Sequence, residues 1–377
     1  MEVKRAYRFR CYPTPEQQAV LARTFGCARF VYNHMLRMRT DAWFQRQEQV
    51  GYHETSAAMT ALKKQPKLAW LNEVSSVPLQ QALRHLQTAF ANFFAQRAAY
   101  PSFKSRRERQ AAEYTTSAFK WDGKALKLAK MNSALPVRFS RTIPRAAKVT
   151  TVTVSRDAAG RYFVSMLCDD TVQALPKVGG KVGIDLGLTH FAILSSGEKI
   201  AAPNTLRQNE AKLVRLQRCL ARKVKGSRNR AKARRKVARA HAHIADARKD
   251  FLHKLSTRLI RENQVIAVET LAVGNMQKNR CLSKSIADAG WAEFLRQLAY
   301  KSQWYGRTLV SIDRWHPSSK RCSDCGHTLP RMPLKVREWT CSECGSLHDR
   351  DINAARNILA AGLAVSAHGE AVSPVCM

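Results

Sequence analysis

Two short segments near the carboxyl end, Cys322-Ser323-Asp324-Cys325-Gly326 and Cys341-Ser342-Glu343-Cys344-Gly345, stand fifteen residues apart. Four thiolates sharing one zinc ion must lie within about 4 Å of one another, because a Zn–S bond is about 2.3 Å long. Any fold open to this chain therefore has to bring these two knuckles face to face. Gly326 and Gly345 suit the tight turn that lets backbone N–H groups face the sulfurs. With Cys322, Cys325, Cys341 and Cys344 filling all four positions, a single Zn2+ there is structural and leaves no position open for catalysis. His327 and His348 read as surface or supporting groups.

The reading requires reduced thiols. The opening MEVKRAYRFRC has no apolar signal core, and no apolar run reaches the roughly 18 residues that cross a bilayer. A cytoplasmic protein with no membrane partner is expected, in which regularly spaced cysteines point to metal rather than to disulfides.

The 64 Lys and Arg against 28 Asp and Glu leave a formal net charge of +36, while 45% hydrophobic residues exclude global disorder. So large an excess on a globular chain indicates a polyanionic partner, since Lys and Arg gain most by displacing counterions from phosphates. The excess is concentrated. Between Arg215 and Arg239 there are twelve Lys and Arg and no acid, so no ion pair offsets the repulsion. Leu213, Leu216 and Leu220 on one arm, with Val237, Ile244 and Phe251 on the other, predict a helical hairpin over about 206–263 with its cations outward. Arg222, Lys225, Arg228, Arg230, Arg234 and Arg235 are its candidate phosphate contacts.

Elsewhere the pattern divides the chain. Residues 1–11 alternate as a half-buried strand; Thr14, Pro15 and Gln17 mark a capped helix start, and helices follow to about residue 99. One carries Leu79, Leu83, Leu86, Phe90 and Phe93 at helical spacing, a core stripe. From 114 to 168 short alternating runs separated by turns predict a small β-barrel or sheet, joined by strand 1–11. After a linker at about 173–180 come KVGIDLG, THFAIL, VIAVE and TLVSI, strands mixed with helices, hence an α/β sheet.

Asp185 lies in the middle of KVGIDLGLTHFAIL. An isolated buried carboxylate costs several kcal/mol unless it is paired or holds a cation. Glu269, at the end of VIAVE, is a second acid in the same setting, and HDRDINAARNIL supplies a third. Asp349 and Asp351 would lie about 200° apart on a helix. Asp351 shares its stripe with Ala355 and Ile358, the side that packs inward, so Asp351 is expected at the site and Asp349 as a helix-terminal cap. Three converging carboxylates require cations, and oxygen-only ligands favour Mg2+ or Mn2+. Two such ions would activate a water and stabilise the leaving oxygen of a phosphodiester. The rival reading of GIDLG, a phosphate loop of an actin-like ATPase, accounts for Asp185 and leaves the charge, the knuckles and Asp351 unexplained.

In this order, GIDLGLTHFAI, VIAVETL, the two knuckles and HDRDINAARNIL resemble the TnpB family of transposon-encoded RNA-guided nucleases, relatives of compact type V CRISPR effectors. FGCARFVYNHML and DAGWAEFLRQLAYKSQWYG extend the resemblance over nearly the whole chain. It implies an RNase H-like (RuvC) nuclease over 181–319 and 346–364 interrupted by a zinc ribbon at 320–345, with Asp185, Glu269 and Asp351 as acidic triad. A wedge-like β-barrel over 1–13 and 110–172 would carry an inserted helical recognition lobe at 14–109, and 365–377 would be a tail. The implied partners are a guide RNA and double-stranded target DNA beside a short transposon-adjacent motif, read in part by Tyr52, Ser56 and Gln80. Monomer and dimer both stay open, as do two other functions: a transposase using the same triad for strand transfer, and a non-catalytic nucleic-acid-binding regulator.

Overall fold

The computed structural model describes residues 1–333 and 335–367 and divides into two compact units, Glu2–Thr171 and Val172 onward with Met1. The tail expected at 365–377 lies outside the described residues from 368 on.

The first unit pairs a sheet with helices. Strand β1 (Glu2–Cys11) leads into α1 (Pro15–Arg46), α2 (Tyr52–Lys64) and α3 (Ser76–Phe94). Thr14 caps α1 reciprocally: the Gln17 N–H donates to Thr14 Oγ1 at 3.3 Å and the Thr14 N–H to Gln17 Oε1 at 3.1 Å. Strands β2 (Gln110–Thr115), β3 (Phe119–Trp121), β4 (Leu126–Leu128), β5 (Val137–Arg138), β6 (Lys148–Arg156) and β7 (Tyr162–Thr171) follow. Five form an antiparallel sheet in the order β2-β6-β7-β1-β5, and β3 with β4 makes a separate hairpin. Alternation turns Tyr7, Phe9 and Cys11 into its core against Val152, Val154, Val164 and Met166. The helices have their own core, with Leu79, Leu83, Leu86 and Phe90 of α3 packed on Val31, Met35 and Leu36 of α1. Phe93, on the same stripe, stays half-buried.

The second unit is built on a mixed sheet. Its elements are β8 (Lys181–Leu186), β9 (His190–Leu194), β10 (Lys199–Ala201), α4 (Thr205–Ala221), α5 (Arg228–Glu262), β11 (Val265–Glu269), α6 (Val273–Met276), α7 (Ser283–Ala289), α8 (Trp291–Tyr305), β12 (Thr308–Ile312), β13 (Glu338–Thr340), β14 (Leu347–Asp349) and α9 (Arg350–Ala367). The sheet order is β10-β9-β8-β11-β12: the first three strands are antiparallel, and β11 runs parallel to both β8 and β12. This is the mixed α/β architecture that the resemblance implied. Helices α7 and α8 are separated at Gly290, whose φ of 73° ends α7 in the left-handed conformation.

Strand alternation decides what each face of this sheet can do. Val182, Ile184, Ile266 and Val268 share one face, where they pack on Leu252, Leu255 and Leu259 of α5 and Phe294 and Leu298 of α8. The residues between them, Gly183, Asp185, Ala267 and Glu269, fall on the other face. That face is small-sided, and α9 lies close on it. A Cβ at Gly183 would collide with the Ala355 carbonyl oxygen and with Leu359, and one at Gly362 of α9 would meet Ala267. Gly183→Ala is therefore expected to destabilise the unit by at least about 1–3 kcal/mol in chemical denaturation and to push α9 off the sheet. An unchanged midpoint would show that the helix does not need this close approach.

Candidate functional site

Asp185 sits next to the end of β8 and Glu269 ends β11. The parallel register of these neighbours reaches Ile184 opposite Val268, so the two acids follow as the next step along one edge of the sheet. Strand order reverses at β8, and the carboxyl ends of strands at such a reversal form a natural crevice. Asp351 enters from α9, in its first turn. Asp185 senses the convergence: burial first, then the charges of Glu269 and Asp351, push its carboxyl up to about 7 against the pull of the Arg350 guanidinium. Glu269 is held by Ser318, whose Oγ donates to Oε1 at 2.6 Å, and Asp351 stands 3.5 Å from Arg337. All three acids keep partial exposure, so ions and substrate can reach them.

The choice between Asp349 and Asp351 has a different physical origin from the helical phase inferred from the sequence. Asp349 is the last residue of β14, and α9 starts after it. Its Oδ1 accepts from the N–H groups of Asp351 and Ile352, both at 3.0 Å, and Lys199 Nζ lies 2.5 Å from Oδ2. Burial works against its ionisation, but Lys199 and these N–H groups outweigh it and hold the carboxyl below its usual range. Asp349 is thus the helix cap.

The four cysteine sulfurs lie within 4.8 Å of one another, the one group among the described residues that meets this spacing; the three carboxylates stand wider apart. Cys322 and Cys344 are 3.7 Å apart at sulfur, and Cys325 and Cys341 3.6 Å. Gly326 and Gly345, at φ 81° and 72°, close the two knuckles. The cluster's geometry and soft donor set fit a four-thiolate metal ion. The ribbon extends past the expected boundary at 345, because β13 pairs with β14 as far as Glu338 opposite Asp349. His348 is buried, with Nε2 3.0 Å from the Cys322 sulfur and its ring 4.8 Å from that of Trp339. It supports a thiolate and is no surface residue.

Two asparagines that the sequence reading passed over join ribbon to helix. Asn353 and Asn357, one turn apart on the buried side of α9, both donate to the Arg321 carbonyl, at 2.7 and 2.6 Å. Asn357 also reaches the Ser318 carbonyl at 2.8 Å, and Asn353 Oδ1 accepts from the Ser323 N–H at 2.9 Å. The segment 318–323 is thereby tied to α9, and through Ser318 to Glu269. Two amides at i, i+4 on an otherwise apolar stripe were the available signal, because buried amides need partners.

The cationic hairpin is α4 and α5, in which Leu213 and Ile244 are buried and Leu216, Leu220 and Val237 half-buried; Phe251, expected between the arms, instead packs edge-on against Phe191 of the sheet core at 5.1 Å. Arg222, Lys225, Arg228, Arg234 and Arg235 are exposed. Arg230 differs from the expectation of a free phosphate donor: Nη1 is turned onto the carbonyls of Leu220 and Lys223, at 3.1 and 2.7 Å, where it caps the end of α4. In the first unit, Tyr52 opens α2 with its ring 5.3 Å from the Arg84 guanidinium. Gln80, one turn before Arg84 on α3, is exposed, and Ser56 is half-buried. Among the described residues no helix is long and apolar enough to cross a membrane.

Three family models match the chain: the IS605 OrfB model described as "Probable transposase" over residues 152–280, "Cas12f1-like, TNB domain" over 291–358 and "Helix-turn-helix domain" over 1–48. The last range is folded here as β1 and the single helix α1. A Streptomyces pristinaespiralis protein named "Putative RNA-guided DNA endonuclease" is 59% identical over 99% of this chain and 93% of its own length. "Putative RNA-guided DNA endonuclease InsQ" of Escherichia coli K12 is 34% identical over 99% of this chain and 96% of its own. The fold is also similar to that in the cryo-EM structure of the Cas12f1-sgRNA-target DNA complex, with a TM-score of 0.58 at 12% identity over 95% of this chain and 98% of that one.

Proposed function

The chain belongs to the IS605 OrfB family, that of the TnpB proteins, and from that premise we propose that it is an RNA-guided endonuclease that cuts double-stranded DNA beside a short transposon-adjacent motif. The observation that carries this reading is the convergence of Asp185, Glu269 and Asp351 at one edge of the sheet, the first two from the neighbouring strands β8 and β11 and the third from the first turn of α9. Their all-oxygen donor set and mutual repulsion suit hard cations. Asp185, Glu269 and Asp351 would hold two Mg2+ or Mn2+ ions, which when bound supply an activated water and charge stabilisation at the leaving oxygen.

The protein's own groups do the rest. Ser318 orients the Glu269 carboxylate, and Asp349 caps α9 so that Asp351 points from a fixed first turn. Cys322, Cys325, Cys341 and Cys344 hold one structural Zn2+, which sets the segment gripped by Asn353 and Asn357. The exposed cations of the α4–α5 hairpin bind guide RNA or heteroduplex backbone, and Tyr52, Ser56 and Gln80 take part in reading the DNA motif.

Uninterrupted positive charge over 215–239 repels itself in the free protein and is relieved by a stably bound RNA. Protein purified from cells is therefore expected to carry RNA. Replacing only the guide segment, about 20 nucleotides, should move cutting to the newly matched target, because pairing supplies the specificity. Cleavage that persists at the original site without a matching guide would refute RNA guidance and leave a transposase or unguided nuclease.

A further inference from the structure

Between β12 and the ribbon, residues 313–317 form a short loop with an unusual tip. Trp315 is 79% exposed, more than any other large hydrophobic side chain among the described residues, and the Arg314 guanidinium lies 4.9 Å from its ring centre. The loop is ordered by its own bonds: the Trp315 N–H donates to Asp313 Oδ1 at 2.7 Å and the His316 N–H to the Asp313 carbonyl at 3.3 Å. Both of its ends are fastened to Glu269. Ile312 is the register partner of Glu269, and Ser318 donates to the Glu269 carboxylate at 2.6 Å. Trp315 is three positions after Ile312, so their Cα atoms lie within about 11 Å of each other.

An indole held open to solvent by a braced turn adds nothing to the core of its own unit. Aromatic faces of this kind, beside a cation, are what unpaired bases stack on, and the grip tolerates any sequence because every base has a π-face. That tolerance matters where pairing with an RNA chooses the target, since the cut site then has no fixed base to read. We propose that Trp315, backed by Arg314, is a stacking platform for one unpaired nucleobase of the DNA strand presented to Asp185, Glu269 and Asp351, with the guanidinium on the adjoining phosphate. The proposal rests on the nuclease reading for the identity of its ligand.

Two measurements test it. In the first, single-stranded DNA carrying 2-aminopurine at one position at a time is bound to the full-length protein with magnesium omitted. Because DNA bound without a guide has no fixed register, stacking is expected to quench the probe to a similar extent at each interior position, with the quench retained in Trp315→Phe, reduced in Arg314→Ala and lost in Trp315→Ala. In the second, each nucleotide near the cut is replaced by an abasic residue. At one position wild-type cleavage should fall about tenfold, the range expected from base stacking on an aromatic side chain, while Trp315→Ala, already slower, falls no further. Equal quenching by wild type and Trp315→Ala, or abasic and Trp315→Ala defects that multiply at every position, would overturn the proposal. The quench needs no cutting, so a chain that fails to cut under RNA guidance would sink the functional reading while the quench still decides the platform.

Discussion

Asp185→Asn is expected to abolish DNA cutting, by about a thousandfold or more, and at the same time to stabilise the protein at pH 8 with magnesium omitted. The loss of cutting follows from the role proposed for Asp185 as a metal ligand at the reacting phosphate, where charge stabilisation is worth several kcal/mol. The gain in stability follows from the carboxyl pKa, about 7 in the folded protein against an ordinary 3.8. Between those values the unfolded chain is ionised while the folded one holds its proton. Stability therefore falls as pH rises from about 4 to 7 and levels off above, by up to roughly 4 kcal/mol. An amide at 185 carries no charge and escapes this loss. Denaturant midpoints of the two proteins should diverge between pH 4 and 8, and magnesium should raise the midpoint of the wild type only. RNA and DNA binding should be nearly unchanged, since little contact surface is lost. Parallel midpoints at all pH values would show that Asp185 is not under the strain of burial and two neighbouring charges. Asp349→Ala should cost about 1 kcal/mol of stability through the lost cap and slow cutting mildly. A dead Asp349→Ala beside an Asp351→Ala that cuts normally would reverse their roles.

Loss of the ribbon metal is expected to stop cutting through disorder rather than chemistry. Cys322 lies one residue from Arg321, whose carbonyl is clamped by Asn353 and Asn357, and four from Ser318, which steadies Glu269. When Cys322→Ser or a zinc-selective chelator opens the thiolate cluster, the segment 318–323 loses its anchor. Both Glu269 and the first turn of α9 lose support with it. Zinc release measured with a coloured indicator should track the fall in cutting. Amide hydrogen exchange should quicken in 318–323 and 350–358 and stay slow in β8 and β11, whose core on α5 and α8 is independent of the ribbon. A well-folded, fully active protein that contains no zinc would remove this role.

The covalent identity of a residue and its spacing along the chain are local properties, and those were legible. Four cysteines in two knuckles announce their cluster because few other arrangements satisfy a metal with that spacing. Asp185 and Glu269 stand out because an acid in an apolar strand is costly without a reason. The Thr14–Gln17 cap and the two helical arms of the basic hairpin depend on neighbours three or four residues apart, and local periodicity shows them directly. What required the tertiary structure is contact between distant segments. Gly183 reads as an ordinary strand glycine until α9 lies on it; Arg230 looks like five other cations until it folds back on α4. His348 gains its purpose from a sulfur 26 residues earlier, and Asn353 and Asn357 from carbonyls more than 30 residues away. The register of β8 and β11 then sets two carboxylates side by side, and the close seat of α9 on Gly183 and Ala267 adds the third, because only small side chains on that face let the helix come near enough.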